Sequence, residues 1–373
     1  MIDFGLSEDQ EALQRAAREF LTAECAPAVV RETVKTTDGV PRALYKGMAE
    51  QGWMGLIVPE KEGGVGLGAL ELGLVLEELG RVAAPGPFLS TQLVVAALLR
   101  AGSAAQRKAW LPRLASGELL GAVAYLEESD RHDADGIQAK ARRTRDGWVL
   151  GGTKLFALEA PGADLLLVAA RTRAGVSLFL VERATSGVRV RPQETMDLTR
   201  RVAEVALKDA AVPATALLGG DGKGWPTLAR VLQLGALAIA ADSLGGASRT
   251  LEMAVEYAKV REQFGRKIGS FQAVKHIAAE MVAEVEPSRS LVWHAAYAFE
   301  HAPREAPRAI AMAKARLGDV YSRTARRAVE LHGGIGFTWE FDLHLWYKRA
   351  QMNEVLFGDP TLHRERLAGI EGW

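Results

Sequence analysis

Cysteine is nearly absent from this chain: Cys25 is the only one in 373 residues. No intrachain disulfide framework can form, and the composition suits a reducing cytoplasm. A charge bias is absent too. Lysine plus arginine and aspartate plus glutamate number 46 each, so no global field favours nucleic acid or an anionic membrane. The longest apolar run, Leu234 to Ala241, is too short and too rich in glycine and alanine to span a bilayer. The opening Met1-Ile2-Asp3-Phe4 soon turns polar and has neither a basic nor an apolar leader region. Internal repeats and low-complexity tracts are also missing. These absences set the expectation of a soluble cytoplasmic protein.

The residues that are present divide into three regions, 1–117, 118–222 and 223–373. The first reads as helical. Ser7 followed by Gln10 makes a capping box, and Leu13, Ala16, Ala17, Phe20 and Leu21 line one face of the helix it starts. Further helical patterns cover Pro41–Gln51, Leu70–Leu79 and Thr91–Arg100. The second region alternates apolar and polar residues, turns at Asp146-Gly147, and continues in short apolar runs. Strands this closely spaced predict an antiparallel barrel or sandwich rather than βαβ units. From Trp225 the helical period returns in four segments, and Glu286-Pro287 is expected to kink or split the second.

Two segments carry chemistry. In the first, Arg261-Glu-Gln-Phe264-Gly265-Arg-Lys-Ile-Gly-Ser270-Phe-Gln272, a glycine-punctuated loop joins two helices and Ser270 can cap the second. An arginine, exposed amides and a helix N-terminus together suit a phosphate. The plain alternative is a helix–loop–helix turn with a solvated basic loop. In the second, Glu330-Leu-His332-Gly333-Gly334-Ile-Gly336-Phe337, paired glycines end a helix and let a ligand approach the backbone. A simple helix cap explains the glycines alone.

Together these segments resemble the C-terminal helical domain of the flavin-dependent acyl-CoA dehydrogenases. The resemblance implies an α+β chain with an N-terminal helical domain, a middle antiparallel β-barrel domain and a C-terminal four-helix bundle. It implies FAD as cofactor, an acyl-CoA substrate, and an electron-transferring flavoprotein as acceptor. It further implies that Arg261, Phe264, Gln272, His332, Gly333 and Gly334 touch the adenosine diphosphate half of FAD bound mainly by a neighbouring subunit. Glu330 stands where relatives often carry glutamine, and an acid beside a pyrophosphate is unfavourable.

Elsewhere the family pattern is lost. Its Thr-Glu-Pro segment is Leu126-Glu127-Glu128 here, and its Trp-Ile-Thr is Phe156-Ala157-Leu158 after Gly152-Thr153-Lys154. Desaturation needs a carboxylate to take the α-proton, with burial matching its pKa to the task. The family's two positions for that glutamate are Gly235 and Phe357 here, and the arginine that often follows the first is Ala236. Asp242, the least poor substitute, lies about 10 Å further along the same helix face. It reads more simply as a buried acid paired with an arginine, and Asp359 as a turn residue before Pro360.

Lesser signals carry bland readings. Gly64-x-Gly66-x-x-Ala69 lacks the βαβ setting of a dinucleotide fingerprint. His276 and Glu280 have no third metal ligand nearby. Arg323, Arg326 and Arg327 read as a solvated or inter-subunit face. No nucleophile elbow or Cys–His pair is present.

Three functions follow from this pattern. The chain is a partner subunit placing its loops on FAD in a hetero-oligomeric dehydrogenase, as in some actinobacterial relatives acting on steroid side chains. Alternatively it is a self-sufficient homo-oligomer, dimer or tetramer, with a relocated base. The third possibility is a non-redox scaffold on the same fold.

Overall fold

A computed structural model describes residues 5–373. Residues 1–4, read above as carrying no leader, lie outside the described residues. The first region holds six helices: α1 (Glu8–Glu24), α2 (Pro27–Thr33), α3 (Arg42–Glu50), α4 (Ala69–Arg81), α5 (Phe88–Ala101) and α6 (Ala104–Ala115). The Ser7–Gln10 capping box forms, with Ser7 N–H donating to Gln10 Oε1 at 2.9 Å. Helix α5 is buried along most of its length and has little amphipathic contrast, because it is enclosed on all sides. The segment before Gly64 is a 3₁₀ turn, Trp53–Gly55, not a strand, so the glycines there join helices.

The middle region contains β1 (Gly121–Ala124), β2 (Lys140–Arg143), β3 (Gly147–Leu158), β4 (Leu165–Thr172), β5 (Gly175–Glu182), β6 (Val188–Gln193), β7 (Val202–Pro213) and β8 (Leu217–Leu218). Hydrogen bonding runs in the order β6-β7-β3-β2-β4-β5-β8, with β1 added beside β4. Most neighbours are antiparallel as expected. The exceptions are β1 with β4 and the single β2–β4 pair Lys140–Arg171, both parallel. Strand β1 departs from the expectation because it enters straight from the helical region rather than through a hairpin. Trp148, Leu166 and Phe179 belong to the middle region's own apolar core.

The last region begins with α7 (Trp225–Val260), followed by the small hairpin β9 (Glu262–Gln263) and β10 (Arg266–Lys267). Then come α8 (Gln272–His301), α9 (Ala306–His332), α10 (Leu343–Val355) and α11 (Pro360–Glu371). Two expectations need correction. Helix α8 is not split at Pro287 but runs through it, since packing against α7 and α9 outweighs one lost hydrogen bond. The fourth expected helix is two, α10 and α11, separated by a turn at Phe357-Gly358 where both residues have positive φ. Helix α7 is long and apolar enough to cross a bilayer, yet 78 % of its most apolar window is buried inside the protein. Its apolar faces are the core of the molecule.

Candidate functional site

The two loops singled out in the sequence lie on the outside of the last region. Arg261 follows α7 directly and its exposed guanidinium has no side-chain partner among the described residues. Phe264 is 92 % exposed at the tip of the β9–β10 hairpin and adopts positive φ. Gln272 opens α8 and is exposed. Ser270 does not cap that helix; its hydroxyl donates to Lys267 O at 2.7 Å. The cap position is Phe271, which offers no side-chain acceptor, so the first-turn amides of α8 have no capping partner.

His332 is placed differently from its glycines. Its ring is buried, stacked on Tyr257 at 4.3 Å and 4.9 Å from Phe341, with Nδ1–H donating to Ala328 O at 2.7 Å. Gly333 and Gly334 are exposed, and a Cβ built on either meets nothing within 4 Å. His332 therefore positions the glycine loop rather than forming its surface. The Tyr257–His332 stack joins the last turn of α7 to the end of α9, the helix ends from which the two loops leave. Tyr257 is a packing support behind His332 that the sequence reading missed; its signal is an aromatic residue one helical turn before Arg261.

An inner cavity of about 510 Å³ lies where the three regions meet. Leu126, Leu158 and Phe357 are among its apolar walls, so none of the eroded motif positions presents a side-chain hydrogen-bond donor there. The two positions where the family places its glutamate are interlocked. A Cβ on Gly235 would stand 2.6 Å from the Phe357 ring. The turn carrying Phe357 is held from behind: Lys314 Nζ donates to Glu354 O at 2.9 Å and Gly358 O at 2.8 Å, and His363 Nε2 lies 3.1 Å from Phe357 O.

Asp242 is not free to act as a base. Arg349 grips it from α10 with Nε at 3.0 Å and a second nitrogen at 2.5 Å, and Arg200 approaches at 2.9 Å. Asn353 adds a bond at 2.7 Å. Burial would raise this carboxyl's pKa, but Arg349 and then Arg200 overcome it and hold the value at about 2. Arg200 also binds Glu159 at 2.9 Å, and Glu159 accepts the Ser90 hydroxyl at 2.9 Å. The cluster thus links α5, the middle region, α7 and α10. Asp359 accepts the Leu362 amide at 2.7 Å and caps α11, in line with its reading as a turn residue.

In the middle region Glu127 and Lys154 form a structural pair at 2.5 Å, with Glu127 also accepting the Gln138 and Ala139 amides. The sequence reading passed over His132, which lines the inner cavity and whose Nδ1 lies 3.1 Å from the Tyr125 hydroxyl. No motif marks it; its partner lies seven residues away across a loop. Glu280, one helical turn from His276, pairs with Arg327 at 2.8 Å. No group of three or more metal-ligating side chains occurs among the described residues.

The outer loops fit a dinucleotide, with an unpaired guanidinium, open glycine backbone and uncapped helical amides. The inner cavity does not offer the side-chain donors that a flavin ring would use at the eroded motif positions.

Models of the acyl-CoA dehydrogenase N-terminal, middle and C-terminal domains match residues 7–118, 122–210 and 222–369 respectively. An acyl-CoA dehydrogenase of Bacillus subtilis is 32% identical over 369 residues, covering 96% of this chain and 97% of that one. Butyryl-CoA dehydrogenase from Megasphaera elsdenii superposes with a TM-score of 0.93 at 29% identity, over 100% of both chains. A chain of the ChsE4-ChsE5 complex from Mycobacterium tuberculosis gives 0.91 at 30% identity, covering 100% of this chain and 99% of that one. The chain belongs to the acyl-CoA dehydrogenase family, flavin-dependent oxidoreductases that act on acyl-CoA thioesters.

Proposed function

We propose that this chain serves FAD-dependent α,β-desaturation of an acyl-CoA as a partner subunit, presenting its outer loops to FAD held mainly by a homologous chain. The observation carrying this reading is a contrast within one molecule. The Arg261 guanidinium and Gly334 stand exposed with nothing bound to them, and Phe264 is exposed with only its edge-on contact to Phe271, while both base positions are filled by the Gly235–Phe357 contact. FAD, when bound, supplies the acceptor for the hydride that leaves Cβ. This chain's own part is to hold the nucleotide: Arg261 as a cation for phosphate, Gly333 and Gly334 as open backbone, and Phe264 as an aromatic contact.

The ChsE4-ChsE5 relative is itself a complex of two named components, which favours a hetero-oligomer over a homo-oligomer. The electron acceptor is an electron-transferring flavoprotein, and the assembly works in the cytoplasm, where the buried free thiol of Cys25 persists. Co-expression with a homologous subunit and flavin quantitation test the reading. One flavin per two chains is expected. Full flavin occupancy in this chain alone, with bleaching by an acyl-CoA, would instead establish a self-sufficient enzyme. Absence of flavin from every assembly would leave a scaffold.

A further inference from the structure

A cavity of about 440 Å³ opens between α4, α5, α7 and the end of α8, and it shares no lining residue with the inner cavity. Its volume is that of a small-ligand site. Ile57, Leu67, Leu72, Leu99, Val231 and Leu234 give it an apolar wall. Two cations stand in the same wall, Arg100 from α5 and Arg230 from α7.

Neither cation has a carboxylate within ion-pair distance among the described residues. Arg100 is exposed and makes no side-chain hydrogen bond there. Arg230 is half-buried and fixed: its guanidinium carbon lies 3.5 Å from the centre of the Phe299 ring, and Nη1–H donates to Gln233 Oε1 at 3.1 Å. Its Nη2 reaches Phe299 O. Burial and then the Arg100 charge lower the Arg230 pKa, so two like charges repel in a partly dry wall. An anion beside them relieves both costs. Glu300 is the one acid in the wall and is committed to α4, where its Oε2 accepts the Ala69 amide at 3.1 Å.

These features select one kind of ligand. A small hydrophilic anion would pair with the arginines but leave the apolar wall in water. A neutral hydrocarbon would cover the wall but leave the arginines without a counter-charge. A planar carboxylate matches guanidinium N–H groups, and an alkyl chain attached to it covers the leucines. A fatty acid anion has both parts.

We propose that this cavity binds a free medium-chain fatty acid, its carboxylate held by Arg100 and Arg230 and its chain laid against Leu67, Leu72 and Leu99. Arg230 is the anchor, since Phe299 and Gln233 already hold it in place, and Arg100 closes over the carboxylate from the rim. The site is distinct from the inner cavity. It depends neither on flavin nor on the partner-subunit reading.

The test is titration calorimetry of the full chain with octanoate, below its micelle-forming concentration. One octanoate per chain is expected. Octan-1-ol, which lacks the charge, and acetate, which lacks the chain, should each bind roughly tenfold more weakly or worse. Arg100→Gln alters an exposed side chain without a partner, so it should leave the melting temperature unchanged and weaken octanoate roughly tenfold. Leu67→Glu, at a position 38 % exposed, sets an acid against the carboxylate and should weaken binding at least as much. Arg230→Gln should weaken it most; if that variant fails to fold, the other two decide. No octanoate binding to the wild type, equal affinity for octanoate and octan-1-ol, or unchanged affinity in either Arg100→Gln or Leu67→Glu would overturn the proposal. Displacement of octanoate by octanoyl-CoA would overturn it as well, by placing the acid in the inner cavity.

Discussion

The Phe357 ring occupies the space that any side chain on Gly235 would need, with its Cε1 atom 2.6 Å from the position of a Cβ there. The two residues come from α7 and from the turn after α10, and each accounts for the other. Gly235→Glu alone overpacks the contact and should cost about 1–3 kcal/mol. Gly235→Glu combined with Phe357→Ala should recover part of that loss, because the ring that clashes is gone. Urea unfolding of the single and double variants measures the coupling between them. Additive effects would show that the contact does not govern what position 235 tolerates.

Asp242 should prove structural when substituted. Asp242→Asn leaves Arg349 buried without its ion-pair partner and Arg200 with Glu159 alone, a loss of about 3–5 kcal/mol. The acid side of the stability curve carries the same signature. The carboxyl's pKa falls from 3.8 to about 2 on folding, so its contribution is present above pH 3.8 and is lost as pH falls towards 2. Thermal unfolding between these values should show a steeper decline in the wild type than in Asp242→Asn.

Lys314 predicts a slope of the same sign at alkaline pH. Burial pulls its pKa from 10.5 down to about 7, with Asp359 and Glu354 offsetting only part of that. Between pH 7 and 10.5 the unfolded chain therefore holds the proton that the folded chain has lost, and this group's contribution to stability rises with pH. Lys314→Met should remove that rise. Parallel denaturation curves for the two proteins at pH 7 and pH 9.5 would count against it.

Gly333 and Gly334 should separate folding from nucleotide contact. Gly333 has φ of 63°, so Gly333→Val strains the backbone and should lower the melting temperature. Gly334 has open space around it and no such φ. Gly334→Val should leave melting unchanged while reducing the flavin that co-purifies with the assembly. Arg261→Ala should act in the same way. Unaltered flavin content in both would remove these loops from the cofactor site.

Much of this was legible in the sequence because it depends on local rules. The Ser7–Gln10 capping box, the helical period of α4 and α5, and the turn at Asp146-Gly147 all follow from neighbours within a few residues. So does the glycine punctuation that exposes the outer loops. The sequence was silent where distant residues meet. Nothing local indicates that Phe357 packs on Gly235, that Arg349 reaches Asp242, or that Tyr125 orients His132. Pro287 misled for the same reason: its local penalty is real, but contacts with α7 and α9 outweigh it. Ser270 was a reasonable cap by residue type, yet the helix begins two residues later.

The cluster of Asp242, Arg349, Arg200 and Glu159 lies beside the inner cavity without lining it. What keeps the architecture upright is thus physically separate from what would perform chemistry. Side chains lining the cavity can therefore change without loosening the charged cluster that ties the regions together.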